Sequence, residues 1–150
     1  MLAIRRAEAA DAAAVRALTR DAYAKWVPVI GREPKPMTAN YDTAVRLNRV
    51  DMAMIDGELA GLIETIDRSD HLLIENVAVA SHRHGQGIGR ALIAYAEGVA
   101  KAAGYREVRL YTNRRFEANV QLYLKLGYAI DREEEAPGLG VTVNMSKRLT

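Results

Sequence analysis

The 150-residue sequence contains no cysteine. This absence excludes disulfide bonds, thiolate metal sites and catalysis through a cysteine acyl-enzyme. No apolar run approaches the length of a membrane-spanning helix. The N-terminal stretch MLAIRRAEAADAAA also lacks the continuous apolar core of a signal peptide, because Glu8 and Asp11 interrupt it. We therefore expect a cytoplasmic protein that has no membrane partner.

A strong charge of either sign is missing as well. Twenty-one Lys and Arg residues against nineteen Asp and Glu residues give a net charge of +2, and the charges are scattered singly along the chain. Nucleic-acid-binding domains usually concentrate basic residues in patches or stripes. The balanced pattern therefore predicts no nucleic-acid partner. No metal site is expected, and a homodimer is compatible with the sequence.

Length and apolar periodicity indicate one α/β domain over residues 1–150. A chain of this size buries roughly 70% of its unfolded surface without disulfides or metals. A strand over Leu2 to Arg6 and two helices are followed by elements in the order ββ–β–helix–β–helix–ββ. This order predicts an α/β (α+β) fold with a mixed, mostly antiparallel sheet of about six to seven strands, flanked by about four helices.

Several element boundaries have recognisable signals. Asp11 stands at an N-cap position before the first helix, which is predicted to run to Trp26. The Pro-rich stretch VPVIGREPKPM predicts a loop before a helix over Thr38 to Arg46. The Asp56-Gly57 pair predicts a hairpin turn. Later elements are a helix from Ile88 to Gly104, a helix over Glu117 to Leu126, and strands near Tyr128 to Arg132 and in GVTVNMSKRL.

Three glycines alternate in the stretch ASHRHGQGIGRAL, which joins a buried strand to the start of a helix. Glycine lets backbone N–H groups approach a ligand without obstruction by a Cβ atom, and N–H groups at a helix N-terminus bind anions. The third glycine comes one residue too early for a dinucleotide fingerprint, and the Gly-Lys-Ser/Thr of a P-loop is absent. The stretch therefore predicts another phosphate ligand, with a plain flexible loop as the alternative.

The strand ENVAV, this loop and the downstream stretch FEANVQLYLKLGY together resemble the GNAT superfamily of acetyl-CoA-dependent N-acetyltransferases. The family signature Arg/Gln-x-x-Gly-x-Gly/Ala places its glycines on Gly87 and Gly89, and its first position on His84. The resemblance implies acetyl-CoA as the co-substrate, with its pyrophosphate on the loop amides. The cofactor-binding residues that it implies are Val77, Ala78, Val79, His84, Gly85, Gln86, Gly87, Ile88, Gly89, Arg90 and Asn119.

The resemblance also implies transfer of the acetyl group to a primary amine by direct attack in a ternary complex. Tyr123 follows Asn119 by four residues, where family members commonly have a tyrosine that protonates the leaving thiolate; packing in the core is its alternative role. Glu75 interrupts a central strand and is the candidate base, with a paired structural carboxylate as the alternative. Glu64 and His71 are weaker candidates for the base.

The acceptor is expected to bind near the first two helices and the Pro-rich connector. The residues assigned to it are Trp26, Arg32, Tyr41, Tyr111 and Asn113, together with Tyr23. Arg32 is suited to clamping a carboxylate, whereas the aromatic residues could equally pack in the core. A small-molecule amine is favoured over a protein lysine as the acceptor. The rival interpretation is a catalytically silent acyl-CoA-binding or sensor domain, because a cofactor site alone does not prove turnover.

Overall fold

A seven-stranded sheet with helices on both faces organises the chain. The computed structural model describes residues 2–150. The strands are β1 (Leu2–Arg6), β2 (Arg49–Ile55), β3 (Glu58–Asp67), β4 (Leu72–Val79), β5 (Glu107–Asn113), β6 (Ala129–Ala136) and β7 (Gly140–Arg148). Their order across the sheet is β1-β2-β3-β4-β5-β7-β6, in which β4 and β5 are parallel and the other neighbours antiparallel. The predicted mixed, mostly antiparallel sheet is confirmed.

Four helices of seven residues or more flank the sheet, as expected, together with two single-turn helices. In chain order the six are α1 (Ala12–Tyr23), α2 (Val27–Ile30), α3 (Lys35–Thr38), α4 (Tyr41–Leu47), α5 (Ile88–Ala102) and α6 (Glu117–Lys125). Within residues 2–150, no helix is long and apolar enough to span a membrane.

The Pro-rich segment is more ordered than the sequence predicted. Instead of one loop, it contains α2 and α3, each with a proline in its first turn, where the missing N–H removes no helical hydrogen bond. The helix predicted from Thr38 begins at Tyr41, because the Asn40 side chain accepts a hydrogen bond from the Thr43 N–H (3.2 Å).

Two other predicted boundaries differ. Asp11 is the N-cap residue of α1, as predicted, but its carboxylate makes no capping hydrogen bond to the helix and instead accepts from the Glu8 N–H (2.8 Å) and from Arg5 (3.0 Å). The first helix ends at Tyr23 and a 3₁₀ turn continues to Trp26. Strand β6 extends to Ala136, beyond the predicted end.

Two apolar clusters fill the spaces on either side of the sheet. The first packs α5 and Tyr123 of α6 against one face, with Ile63, Ile74 and Leu110 at its centre. The second packs α1 and α4 against the other face of β2, β3 and β4. Because both faces of β4 are covered, its apolar run is nearly continuous in sequence.

A β-bulge at Glu75 interrupts β4. Glu64 of β3 pairs with Asn76, while the next residue, Thr65, pairs with Ile74, which leaves Glu75 without a partner on β3. Such a bulge bends a strand and redirects the extra side chain. The bulge therefore places the Glu75 carboxylate in the middle of the sheet, outside both apolar clusters.

Candidate active site

A loop with two left-handed glycines leads into the N-terminus of α5. Gly85 and Gly87 have φ angles of +82° and +79°, a conformation that favours glycine. Gly87 is the N-cap, and the first intrahelical hydrogen bond runs from the Ala91 N–H to its carbonyl (3.0 Å). The N–H groups of the three residues between them have no intrahelical partner. No atom lies within 4 Å of the Cβ position at either glycine, so the space beside the loop is open.

Side chains fix both ends of this loop. Nε2 of His84 lies 2.9 Å from the carbonyl oxygen of Val79, and because a carbonyl only accepts, this nitrogen carries the proton. The Asp21 carboxylate accepts hydrogen bonds from the N–H (2.8 Å) and the hydroxyl (2.9 Å) of Ser81. The bond from the Ser81 N–H is the main cause that holds the pKa of Asp21 below its usual range. The loop is thus tied to β4 and to α1.

Strands β4 and β5 separate beside the loop. Their parallel pairing covers only Leu72 to Ile74 on β4 and Val108 to Leu110 on β5. Beyond Ile74, the edge of β4 that faces β5 has no ladder partner. The Tyr23 hydroxyl reaches this gap from α1 and donates a hydrogen bond to the Val77 carbonyl (3.2 Å).

A cavity of about 660 Å³ extends from the gap to the glycine loop. We call it the first cavity. Its lining includes the β4 segment, the loop and the start of α6, with residues Tyr23, Trp26, Val77, Ala78, Val79, His84, Gly85, Gly87, Gly89, Arg90, Asn119 and Tyr123 among them. An elongated, anionic ligand could lie along β4 with its phosphates at the N-terminus of α5.

Tyr123 of α6 lines the first cavity. Its side chain is buried, and burial raises its pKa to about 12. Its ring packs edge-on against Tyr128, with centroids 6.2 Å apart. Within residues 2–150 its hydroxyl has no hydrogen-bond partner, so the proton is available to a ligand at neutral pH.

A second cavity, of about 410 Å³, adjoins the first at Tyr23, which lines both. Glu75 reaches this second cavity from the bulge, and its Oε1 accepts a hydrogen bond of 2.7 Å from the Tyr111 hydroxyl. Burial is the main cause that raises the pKa of Tyr111, and the hydrogen bond to Glu75 adds to it. Arg32, Lys35 and Asn113 also line the second cavity. A carboxylate and a proton donor thus lie in adjoining cavities, on either side of Tyr23.

A match to a family model identifies the family of the chain. Residues 13–128 match the model described as "Acetyltransferase (GNAT) family". The chain belongs to the GNAT family of acetyltransferases. A curated relative, N-alpha-acetyltransferase 80 of Mus musculus, is 35% identical over 83 residues. The alignment covers 55% of this chain and spans 24% of the length of the mouse protein.

Solved structures of GNAT proteins have the same fold as this chain. The PaiA N-acetyltransferase of Thermoplasma acidophilum, solved in complex with coenzyme A, has a TM-score of 0.77 at 20% identity and covers 99% of each chain. The ribosomal-protein-S18-alanine N-acetyltransferase of Escherichia coli has a TM-score of 0.78 at 19% identity, over 100% of this chain and 95% of that one. At these identities the likeness concerns the fold.

The residues that the sequence assigned to the GNAT cofactor lie together around the first cavity, with two exceptions. Gln86 is exposed at the tip of the loop and does not line the cavity. The Ile88 side chain is buried in the first apolar cluster, and Ile88 does not line the cavity either.

The residues assigned to the acceptor are divided between three places. Arg32, Tyr111 and Asn113 line the second cavity. Trp26 lines the first cavity and stacks on Phe116, with centroids 4.6 Å apart. Tyr41 lines neither cavity, because it is buried in the second apolar cluster, where its hydroxyl donates to the Pro36 carbonyl (2.6 Å).

The weaker base candidates lie outside both cavities. Glu64 is buried and accepts a hydrogen bond from Asn48 Nδ2 (2.8 Å), and burial raises its pKa. Nδ1 of His71 lies 2.7 Å from Asp70 Oδ1, in a polar depression on β4, β5 and β7 that also contains Arg109. Of the two carboxylates considered as the base, Glu75 lines the second cavity and Glu64 does not; Glu33 also lines it, but pairs with Arg20 (2.7 Å).

Sequence analysis did not identify several residues that line the second cavity, among them Lys35 and Phe116. Nothing in the local pattern distinguishes Lys35 from other lysines, since its position depends on how α3 packs. Phe116 precedes α6 directly and is the only phenylalanine in the chain. It is the first residue of the family-like stretch FEANVQLYLKLGY, and this position is a signal that could have drawn attention to it.

Proposed function

We propose that this GNAT protein transfers an acetyl group from acetyl-CoA to a primary amine by direct attack within a ternary complex. One observation carries the proposal: Tyr23 lines two cavities, of which Tyr123 lines the first and Glu75 the second. A proton donor on one side and a proton acceptor on the other are what acyl transfer to an amine requires.

The first cavity suits coenzyme A in shape and in chemistry. The open space beside Gly85 and Gly87 leaves room for phosphates against the N–H groups at the start of α5. Over Val77–Val79 the edge of β4 has no partner strand, and although the Val77 and Val79 carbonyls already accept from Tyr23 and His84, a carbonyl can accept a second hydrogen bond, so backbone groups remain for the amides of a pantetheine arm. Asn119 is placed to add a side-chain contact from α6. The coenzyme A complex of the T. acidophilum relative supports this ligand class.

Each proposed catalytic residue has one task. Acetyl-CoA, when bound, supplies an activated acyl group on a sulfur that can depart as a thiolate. Tyr123 holds the proton that the departing sulfur needs, and burial keeps that proton on the phenol at neutral pH. Glu75 takes a proton from the acceptor amine, and the Tyr111 hydroxyl orients its carboxylate. No covalent bond to the enzyme is needed, which is consistent with a chain that has no cysteine.

A small-molecule amine is the acceptor that we propose for the second cavity. Its volume of about 410 Å³ lies within the range of small-molecule sites. The name of the E. coli relative specifies an alanine of a ribosomal protein as acceptor, so protein N-termini belong in any test. The alternative, a silent acyl-CoA-binding domain, predicts binding without turnover.

Amine-dependent release of free thiol from acetyl-CoA tests the proposal. The panel contains polyamines, amino acids, aryl-alkyl amines and short peptides with a free N-terminus. We expect at least one amine to raise thiol release above the rate of hydrolysis, and to be recovered as its N-acetyl product. Tight binding of acetyl-CoA without release for any amine would instead favour the silent binding domain.

A further inference from the structure

The ammonium group of Lys35 lies beside the proposed base. Its Nζ is 3.9 Å from Oε2 of Glu75, and it donates a hydrogen bond of 3.2 Å to the Tyr111 hydroxyl. It also lies 5.5 Å from the centroid of the Tyr111 ring. The side chain is 73% exposed, so its contact with the carboxylate is weak and exchanges readily. A primary amine of the chain itself thus occupies the position that the proposed function gives to the acceptor.

The backbone that carries Lys35 is held in place, whereas its side chain is free to move. Arg20 of α1 donates a hydrogen bond to the Met37 carbonyl (2.7 Å), and Met37 is buried, so α3 is fixed against α1. The lysine side chain has four rotatable methylene groups. Val77 lies two residues beyond Glu75, about 7 Å along the strand. A lysine side chain can therefore move from the carboxylate towards the gap between β4 and β5 without a change in the fold.

We propose that Lys35 is a site of self-acetylation, in which the chain transfers an acetyl group from acetyl-CoA to its own Nζ when no other amine is bound. The inference rests on the proposed function of the same site. It adds a modification site that the proposed function does not require.

The step balances with the groups already described. Glu75 takes one proton from the Lys35 ammonium, and the neutral Nζ attacks the acetyl carbonyl carbon. The C–N bond forms, the C–S bond breaks, and the electron pair leaves on the sulfur, which receives a proton from Tyr123. Tyr123 recovers its proton from the attacking nitrogen, and Glu75 releases its proton to solvent. The products are N-acetyl-lysine, free coenzyme A and one proton.

The other four lysines of the chain lack this setting. Lys147 pairs with Glu97 at 3.0 Å, away from both cavities. Lys25 lines the first cavity, where its Nζ lies 5.1 Å from the Trp26 ring, and within residues 2–150 it has no ion pair. Lys101 and Lys125 are exposed on α5 and α6. They serve as internal references for uncatalysed acetylation.

Mass spectrometry of the full chain tests the inference. The protein is incubated with acetyl-CoA without added amine, its intact mass is measured, and peptides locate the acetyl groups. A parallel sample receives limiting acetic anhydride, which acetylates exposed amines without the cofactor site. We expect one acetyl group from acetyl-CoA, at least about tenfold enriched at Lys35 over Lys101 and Lys125, with no such preference from the anhydride.

Variants and dilution sharpen the result. Lys35→Arg should lose the added acetyl group, and Glu75→Gln should slow its addition about tenfold or more while Lys101 is unaffected. The rate at Lys35 should not depend on protein concentration, because the amine and the carboxylate belong to one chain.

The amine panel, assayed on the same preparation, separates the two proposals. If an amine is acetylated but Lys35 is not enriched, or is equally preferred by the anhydride, self-acetylation is overturned and the proposed function stands. Enrichment at Lys35 without turnover of any amine supports self-acetylation and contradicts the proposal that the acceptor is a small molecule. If neither Lys35 nor any amine is acetylated, both proposals are overturned.

Discussion

The Tyr111 hydroxyl donates a 2.7 Å hydrogen bond to Oε1 of Glu75, although the two residues are 36 positions apart in the chain. The contact follows from the register of the parallel pair. Ile74 is the last β4 residue that pairs with β5, and its partner is Leu110. Glu75 follows Ile74 on β4, and Tyr111 follows Leu110 on β5. The proposed base and its hydrogen-bond donor therefore meet where the sheet opens.

Glu75→Gln is expected to keep the hydrogen bond from Tyr111 but to lose the proton acceptor. We expect kcat/KM to fall about 10- to 100-fold, most strongly at low pH, where more of the amine needs deprotonation. The measurement is a pH profile from 6 to 9 with a productive amine. Tyr111→Phe leaves the Glu75 carboxylate in place and should therefore lower kcat/KM less than Glu75→Gln does. Equal rates in wild type and Glu75→Gln at every pH would remove Glu75 as the base.

Tyr123→Phe keeps the buried ring and removes the proton donor. The chemical step should slow by about 10- to 1,000-fold, with nearly unchanged affinity for acetyl-CoA. Single-turnover kinetics measure the step directly. Tyr128→Phe is the matched control, since that ring lies in the same cluster but its hydroxyl donates to Glu97 (2.9 Å) outside the cavity. An unaltered single-turnover rate in Tyr123→Phe would reject its role as acid.

Acetyl-CoA and free coenzyme A should each raise the melting temperature, because a ligand that binds only the folded state stabilises it by mass action. At a hundredfold excess over Kd the gain is about 2.7 kcal/mol. Gly87→Ala should reduce this gain, because the left-handed N-cap at the anion site would be strained. Calorimetry with both ligands measures the effect.

Gly104→Ala is the control for that experiment. Gly104 also has a positive φ (+87°) with no atom within 4 Å of its Cβ position, but it follows the other end of α5. Both substitutions should destabilise the free protein by about 1 to 2 kcal/mol. Equal ligand-induced shifts in the two variants would contradict a phosphate site at Gly87.

The resemblance to the GNAT family predicted most of the residues that line the first cavity, because contiguous stretches of sequence carry them. Val77–Val79, the glycine loop and the residues from Asn119 to Tyr123 each lie within one such stretch. Tyr41 could not be assigned this way, since an aromatic residue that lines a cavity and one that packs in a core share the same local pattern. Contacts with Pro36 and Asn76 place it in the core. Likewise, Lys35 reaches Glu75 only because Arg20 holds α3 against α1.

Glu64→Gln should stabilise the protein near neutral pH. Burial raises the pKa of Glu64 in the folded state, so the protonated form is favoured there. The resulting stabilisation is complete below the unfolded pKa and is lost as the pH rises through the folded pKa. Glutamine resembles the protonated form at every pH and can still accept from Asn48.

The melting temperature of Glu64→Gln should therefore exceed that of wild type at pH 7 to 8, with a difference that shrinks towards pH 5. Glu135→Gln, at an exposed position on β6, is the control and should change little. A difference that does not vary with pH would contradict a buried titrating carboxylate.

The bulge at Glu75 also determines how this carboxylate can be removed from the sheet. Ile74 faces α5, Asn76 faces α1, and these are the faces that two consecutive residues of a regular strand would occupy. Deletion of residue 75 alone would thus restore continuous pairing of β3 with β4. All the remaining side chains of β4 would stay on the sheet face that they occupy now. Glu75 is thus one residue more than β4 needs for regular pairing with β3. We expect the protein without residue 75 to fold and to form the first cavity, but to lack the proposed base.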